Sequence, residues 1–289
     1  MITFDPKDLS TGKLHGYLLS AVAPRPIAFA STVDEEGNPN LSPFSFFNMF
    51  SANPPILIFS PARRVRDNSV KHTLENVEAT REVVINVVNY DLVHQASLSS
   101  TEYEKGVNEF EKAGLTMLKS DVVKPFRVAE SPIQMECKVN DIIKLGTEAG
   151  AGNLVICEVV KLHISKDVMD ENDLIIQEKL DLVARAGGNY YNRAKNGYFE
   201  IPKPLRTLGI GIDAMPDEIK NSMIFTGNDL GMLGNVEAFP TPEEIEDFVK
   251  NIEEHHSNIK DMTHREKHKM AQNYLSYGDV DSAWKLLLS

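Results

Sequence analysis

Hydrophobic spacing divides the chain into stretches of different period. Leu14, Tyr17, Leu18 and Val22 recur at helical spacing, which predicts a short helix over 9–20. Pro24-Arg-Pro26 ends it, because each proline disfavours helix at the residue before it. Ile27 to Val33 then reads as a strand, Asp34 to Asn38 as turn chemistry, and Pro39 to Ser42 as the entry to a second strand, a hairpin pattern. Pro43 to Ser51 fits neither period, since large apolar residues stand irregularly among small polar ones. Asn53-Pro-Pro55 punctuates the chain, and Ile56 to Ser60 is a continuous apolar run, as in a buried strand. Pro61 to Asn68 is a basic loop, Ser69 to Thr80 a short helix, and Glu82 to Val88 a β-branched strand.

Beyond Tyr90 the pattern is mixed as far as Lys119 and reads as helical in pieces. Gln134 to Leu145 and Leu154 to Ile164 are two long strands, joined by the glycine-rich loop Gly146 to Asn153. Asp173 to Gln177 reads as a further strand edge. Six or so strands with short helices point to a closed or nearly closed β-barrel carrying helical additions. After about residue 200 the pattern changes. Thr241-Pro-Glu-Glu244 is a capping box with proline at the first helical position, and Ile245, Phe248, Val249 and Ile252 then share one face. Thr263-His-Arg-Glu266 repeats the box, and Asp281 to Leu288 reads as a final helix. The division expected is a barrel domain over 1–199, then a linker and helical C-terminal extension over 200–289.

Composition narrows the function classes. Of 289 residues, 42% are hydrophobic and 25% charged, a globular balance. With 42 Asp and Glu against 30 Lys and Arg, the formal net charge is −12, so the footprint of a general nucleic-acid binder is missing. No run approaches the ~18 apolar residues of a membrane span, and the first residues do not form a charged-then-apolar leader, which makes a reducing cytoplasm the expected location. Cys137 and Cys157 both fall inside strand-like runs and read as buried thiols.

Two stretches could carry chemistry. Ser42, Pro43, Phe44, Ser45, Phe46, Phe47 and Asn48 combine rings, hydroxyls and an amide, which suits the faces and edges of a planar heteroaromatic ligand. Ser60, Arg63, Arg64, Arg66 and Lys71 supply donors and positive charge, and Ser69 and Thr73 flank a predicted helix N-terminus, where free N–H groups favour a phosphate. The same composition also describes a solvated basic loop beside a packed phenylalanine cluster, and composition does not choose between them.

The order of these segments resembles a known family. Pro24 to Thr32, Asn40 to Asn48, Pro54 to Ser60 and Lys71-His-Thr-Leu-Glu-Asn76 are similar to the flavin reductase-like, FMN-binding split-barrel family, in particular its flavoredoxin-type branch. Asn108 to Thr116, Glu130 to Lys138 and Arg185-Ala-Gly-Gly-Asn-Tyr-Tyr191 continue the resemblance, which spans roughly 10–195. It implies a mainly β fold with helices, a split β-barrel that dimerises, with FMN near the subunit interface. Ser42 to Asn48 would then line the isoalloxazine ring. Ser60, Arg63 and Arg64 would approach the ribityl phosphate, and Lys71 and Thr73 would complete the phosphate site. His72 stands where the family usually carries an acidic residue. Arg185 to Tyr191 would approach the flavin or line a nicotinamide pocket; a tyrosine-anchored barrel lid is the other reading.

The chemistry implied belongs to the cofactor: a hydride passes from NAD(P)H to flavin, and electrons pass on to an acceptor, with no side-chain nucleophile and no metal. Two alternatives remain open, an FMN-binding electron carrier without its own nicotinamide site, and a split-barrel binding module whose helical tail contacts a partner. Weaker signals point elsewhere. Gly209-Ile-Gly211-Ile-Asp-Ala214 matches a dinucleotide fingerprint, but prolines flank it, and it needs a strand before and a helix after. His264 and His268, at i and i+4 with His255 and His256 nearby, could ligate zinc, although an exposed helical surface is the better reading.

Overall fold

The computed structural model describes residues 1–255 and 259–289, so His256 lies outside the described residues. The chain forms two compact units, Met1–Phe199 and Glu200–Ser289.

The first unit opens with α1 (Thr11–Ala21), capped by the Ser10 side chain. Its predicted apolar face is not packed: α1 has no buried residue, and Tyr17 and Leu18 are exposed. Strands β1 (Ala28–Val33) and β2 (Pro39–Phe44) form the predicted hairpin, with Ala30 opposite Ser42. The aperiodic stretch after Ser42 is resolved into the end of β2 and a new strand, β3 (Phe47–Ala52), separated by Ser45 and Phe46. It looked irregular because β3 is an edge strand whose outer positions are themselves apolar: Met49 is 65% and Phe50 64% exposed. β4 (Pro55–Phe59), α2 (His72–Thr80) and β5 (Glu82–Val87) follow, then α3 (Val93–Leu98) and α4 (Glu109–Ala113). A two-residue pair, β6 (Met117–Leu118) and β7 (Arg127–Val128), leads to the long strands β8 (Ile133–Lys144) and β9 (Asn153–Ile164). The unit closes with α5 (Gln177–Leu180) and the short hairpin β10 (Val183–Arg185) and β11 (Tyr191–Arg193). The strand edge expected at Asp173 to Gln177 is a single bridge, Met169 to Ile175, and Gln177 already begins α5.

Seven antiparallel strands join in the order β2-β1-β5-β8-β9-β4-β3. The two end strands are consecutive in the chain, so the sheet curls round and its ends meet at Ser45–Phe46, where the Ser60 N–H donates to the Phe46 carbonyl at 2.8 Å. Ala28 and Ala30, Phe44, Phe59, Val83 and Ile85, Cys137, Val155 and Cys157 meet in one cluster that fills the interior, with Leu74 and Val77 of α2. This is a split barrel. Strand alternation sends Phe29 and Leu41 to the other face, where they pack with Leu92, Ala96 and Phe110 from the α3–α4 region. Every residue of β1 is buried because both of its faces are covered. The two cysteines are free, buried barrel residues; the neighbouring Cys157 thiol, and then burial, push the Cys137 pKa well up.

The second unit contains α6 (Asp217–Lys220), α7 (Gly227–Gly234), α8 (Pro242–His255), α9 (His264–Ser276) and α10 (Val280–Leu287). Both expected capping boxes form: Thr241 and Thr263 accept from the N–H of Glu244 and Glu266, whose carboxylates accept the threonine N–H groups. Trp284 is the centre of this unit's core, packed with Ile219, Leu233 and Leu275, and its Nε1–H donates to the Leu233 carbonyl at 2.9 Å. Gly209 to Ala214 is preceded by no strand, and only the four-residue α6 follows, so the fingerprint lacks its structural context. Gly209 instead lies against the end of α7, where an added Cβ would meet the Gly234 carbonyl at 2.7 Å.

Candidate functional site

Two adjoining recesses open on the barrel unit and share Ser100. The smaller is built around the start of α2. No side chain caps this helix. Thr73 is buried there, and its hydroxyl donates to Asn40 Oδ1 at 2.8 Å. The Asn40 amide donates to Glu109 Oε1 at 2.8 Å, and the Leu41 N–H donates to Glu109 Oε2 at 3.0 Å. Burial raises the Glu109 pKa against those hydrogen bonds. This chain of bonds ties β2, α2 and α4 together at the floor of the recess.

Cations line the rim. The Lys71 side chain is partly buried and has no hydrogen-bond partner among the described residues. Burial, and then the neighbouring Arg64, lower its pKa, while Glu102 works the other way. Arg64 is held by the Ser69 hydroxyl at 2.9 Å and the Val70 carbonyl at 2.6 Å, and pairs with Glu102 at 3.1 Å. Arg66 meets the same carboxylate at 2.9 Å. Burial also lowers the His72 pKa, so its imidazole favours the neutral form; it adds a polar edge without the charge of the acidic residue expected there.

The larger recess, about 470 Å³, continues from Ser100 past Pro43, Phe44 and Ser45 to Asn189, Arg185 and Tyr191. Arg185 and Tyr191 face each other across the β10–β11 register, and the guanidinium lies 4.5 Å from the ring centroid. Arg25, behind Ser45, is buried and donates to the carbonyls of Leu19, Val22 and Ala186. It thereby pins the end of α1 to this hairpin.

The structure therefore brings together Ser42, Pro43, Phe44, Ser45, Arg64, Lys71, His72 and Thr73. It puts the other sequence-derived candidates to different uses. Ser60 is buried and accepts the Asn153 N–H at 3.0 Å, which ties β4 to β9. Arg63 is spent on Asn68, with Nε 2.6 Å from its side-chain oxygen and Nη2 2.7 Å from its carbonyl, bonds that shape the basic loop. Phe46 and Asn48 are exposed and Phe47 packs against the barrel core; none of the three lines either recess. The sequence reading missed Asn40, Ser97, Ser99 to Tyr103 and Glu109, whereas Arg185, Asn189 and Tyr191 come from the segment it singled out. The hydroxyl run Ser97-Leu-Ser-Ser-Thr101 was a visible signal, but only the fold shows that it borders both recesses.

His264 and His268 do not converge on a shared ligand position. His264 Nδ1 faces Glu218 at 3.2 Å, whereas His268 is buried, with Nδ1 2.8 Å from the Ser222 hydroxyl and its ring against Phe225. Among the described residues, three potential ligands converge only at Asp121, Glu136 and His163. There Glu136 already accepts three backbone N–H groups and faces His163, with Arg127 and Lys161 beside the cluster, so its charge is met by protein.

Comparison with known proteins agrees with this architecture. The model of the flavin reductase like domain matches residues 20–192. An uncharacterized protein of Aquifex aeolicus (strain VF5) is 35% identical over 191 residues, covering 66% of this chain and 95% of its own. Nitrilotriacetate monooxygenase component B from Bacillus cereus superposes with a TM-score of 0.65 at 28% identity, covering 70% of this chain and 98% of its own. Flavoredoxin of Desulfovibrio vulgaris (Miyazaki F), at 19% identity and a TM-score of 0.54 over 64% of this chain and 93% of its own, shares the fold. With its curled antiparallel sheet, the uncapped helix start beside Lys71 and a domain match over most of the first unit, the chain belongs to the flavin reductase like family of split-barrel flavoproteins.

Proposed function

We propose that the protein is an FMN-dependent oxidoreductase that accepts a hydride from NAD(P)H and delivers electrons to an acceptor. One observation carries this reading: a partly buried ammonium, Lys71, without a hydrogen-bond partner among the described residues, beside Arg64, buried Thr73 and the uncapped start of α2. A desolvated cation at a helix N-terminus is a phosphate site in search of its anion. The donor set suits the terminal phosphate of FMN. The neighbouring recess offers an apolar and hydroxyl-lined volume of about 470 Å³ for a planar ring and a second substrate.

Bound flavin would supply the redox chemistry. The protein's share is positioning. Lys71, Arg64 and the α2 N-terminus anchor the phosphate, the Thr73–Asn40–Glu109 chain fixes the floor, and Pro43 to Ser45 present a wall to the ring. No side chain here is required to form a bond to substrate.

The same reading includes a homodimer. β3 is an edge strand with Met49 and Phe50 exposed, and α1 leaves Tyr17, Leu18 and Val22 uncovered, apolar surface that costs free energy in water. Met49→Glu is expected to shift the protein toward monomer in light scattering, with native circular dichroism retained.

The purified protein is expected to be yellow, or to become so with FMN, and its flavin band is expected to bleach on anaerobic mixing with NADH or NADPH. A colourless protein that takes up no FMN would overturn the assignment. Flavin that binds but is bleached by neither nucleotide would leave an electron carrier reduced by a partner.

A further inference from the structure

The walls of the larger recess carry an uncompensated charge. Arg185 lines it, Arg25 stands directly behind Ser45, and no carboxylate is among its lining residues. Elsewhere in this acidic chain Arg64, Arg66 and Arg193 each pair closely with a carboxylate. The partners of Arg185 are neutral: its Nη2 donates to the Gly188 carbonyl at 2.9 Å, and its planar face rests on Tyr191. The partners of Arg25 are three carbonyls and the Ser45 hydroxyl at 3.5 Å. Burial, and then Arg185 itself, lower the Arg25 pKa, so the second guanidinium adds positive potential to the same wall.

Arg185 is also held in place. Its backbone exchanges two hydrogen bonds with Arg25, at 2.9 and 2.8 Å. The hairpin tip turns through Gly188 in the left-handed region, and Gly187 lies so close to α1 that an added Cβ would meet Ser20 Cα at 3.2 Å. A guanidinium preorganised at a partly desolvated wall, in a recess also lined by Ser45, Ser97, Ser100 and Asn189, matches the planar geometry of a carboxylate or the oxygens of a phosphate.

We propose that Arg185 is the specificity-determining residue of this recess, and that the second substrate seated there carries an anionic group, carboxylate or phosphate, that meets its guanidinium. This names a substrate class for the site and rests on the flavin oxidoreductase reading. The phosphate could come from a nicotinamide nucleotide and the carboxylate from an organic acid acceptor, and the arms of one experiment separate them.

Calorimetric titration of the FMN-loaded protein uses two probe pairs, nicotinamide mononucleotide against nicotinamide riboside, and benzoate against benzamide. The wild type is expected to prefer the anionic member of at least one pair about tenfold or more, the scale of one charged hydrogen bond. Arg185→Gln is expected to abolish that preference while changing the affinity for the uncharged or phosphate-free member less than about twofold; Arg185→Lys is expected to keep most of it. A preference confined to the mononucleotide identifies the phosphate source, and one confined to benzoate the carboxylate source. Absence of any preference in the wild type, or its survival in Arg185→Gln, overturns the proposal. If the protein takes up no flavin, the same titrations on the flavin-free chain decide the anion site, so an Arg185-dependent preference in a colourless protein would remove the flavin reading and leave this one standing.

Discussion

Lys71→Met is expected to weaken FMN binding about ten- to a hundredfold while changing riboflavin affinity less than about threefold, read by quenching of flavin fluorescence on titration. The two ligands differ only in the phosphate, so their ratio isolates the contact. In the structure Lys71 is partly buried beside Arg64, and burial and that like charge both disfavour its charged form. A phosphate relieves both penalties: it supplies the missing hydrogen bonds and offsets the repulsion between the two cations. Arg64→Ala is expected to lower FMN affinity as well, but with a second consequence. Arg64 also holds Ser69 and Val70 in the loop that leads into α2, so its loss disorders the approach to the helix start. The two substitutions share one anion and are expected to combine less than additively. Equal losses for FMN and riboflavin in Lys71→Met would show that the lysine does not serve the phosphate.

Glu136→Ala is expected to destabilise the barrel unit by about 3–5 kcal/mol, read as a lower midpoint in urea followed by circular dichroism. Glu136 on β8 is fully buried and accepts from the N–H groups of Asp121, Val122 and Val123 at 2.9, 2.7 and 3.2 Å, and its Oε1 lies 2.7 Å from His163 Nε2. Removing the carboxylate leaves several donors unpaired at once, and an orphaned buried donor costs more than a hydrogen bond contributes. Glu136→Gln keeps the volume but turns an amide NH₂ toward donors, so it is expected to recover only part of the loss.

The pH dependence has a definite sign. Burial alone would raise the Glu136 pKa, but the backbone N–H groups and His163 together outweigh it and hold the carboxyl below its ordinary value. Its stabilising contribution is therefore complete above the unfolded carboxylate range, about pH 4.3, and is lost as pH falls through the lower folded value. The gap between wild type and Glu136→Gln is expected to be widest near neutrality and to close in acid. Glu109 works in the opposite sense: burial raises its folded pKa, so its contribution is lost as pH rises from the unfolded carboxylate range through that value. A gap that widened in acid would refute the assignment to an ionised Glu136.

Much of the barrel was legible in the chain because strand burial leaves a period. Ala28, Phe29 and Ala30 alternate between interior and outer clusters, and the long strands β8 and β9 follow their apolar runs to within a residue or two. The irregular run after Ser42 was not legible as strand, because an edge strand with apolar residues on both faces has no period to read. Asp173 to Gln177 failed the other way, since an apolar run too short to distinguish strand from helix entry was settled by the α5 turn.

By itself the sequence determined the local chemistry: the capping boxes at Thr241 and Thr263, the hairpin turn at Asp34 to Asn38, the split-barrel resemblance, and the clustering of cations before α2. Apart from the resemblance, which rests on the order of segments along 10–195, these are short-range matters, fixed by residues within a few positions of each other. The tertiary structure alone decided which candidates share a recess. It spent Arg63 and Ser60 on loop and strand contacts, brought Asn40 and Glu109 from 69 residues apart into one hydrogen bond, and set Arg185 in one recess with Ser45 and no lining carboxylate. A side chain's neighbours across a curled sheet depend on register and closure, and no local pattern encodes those.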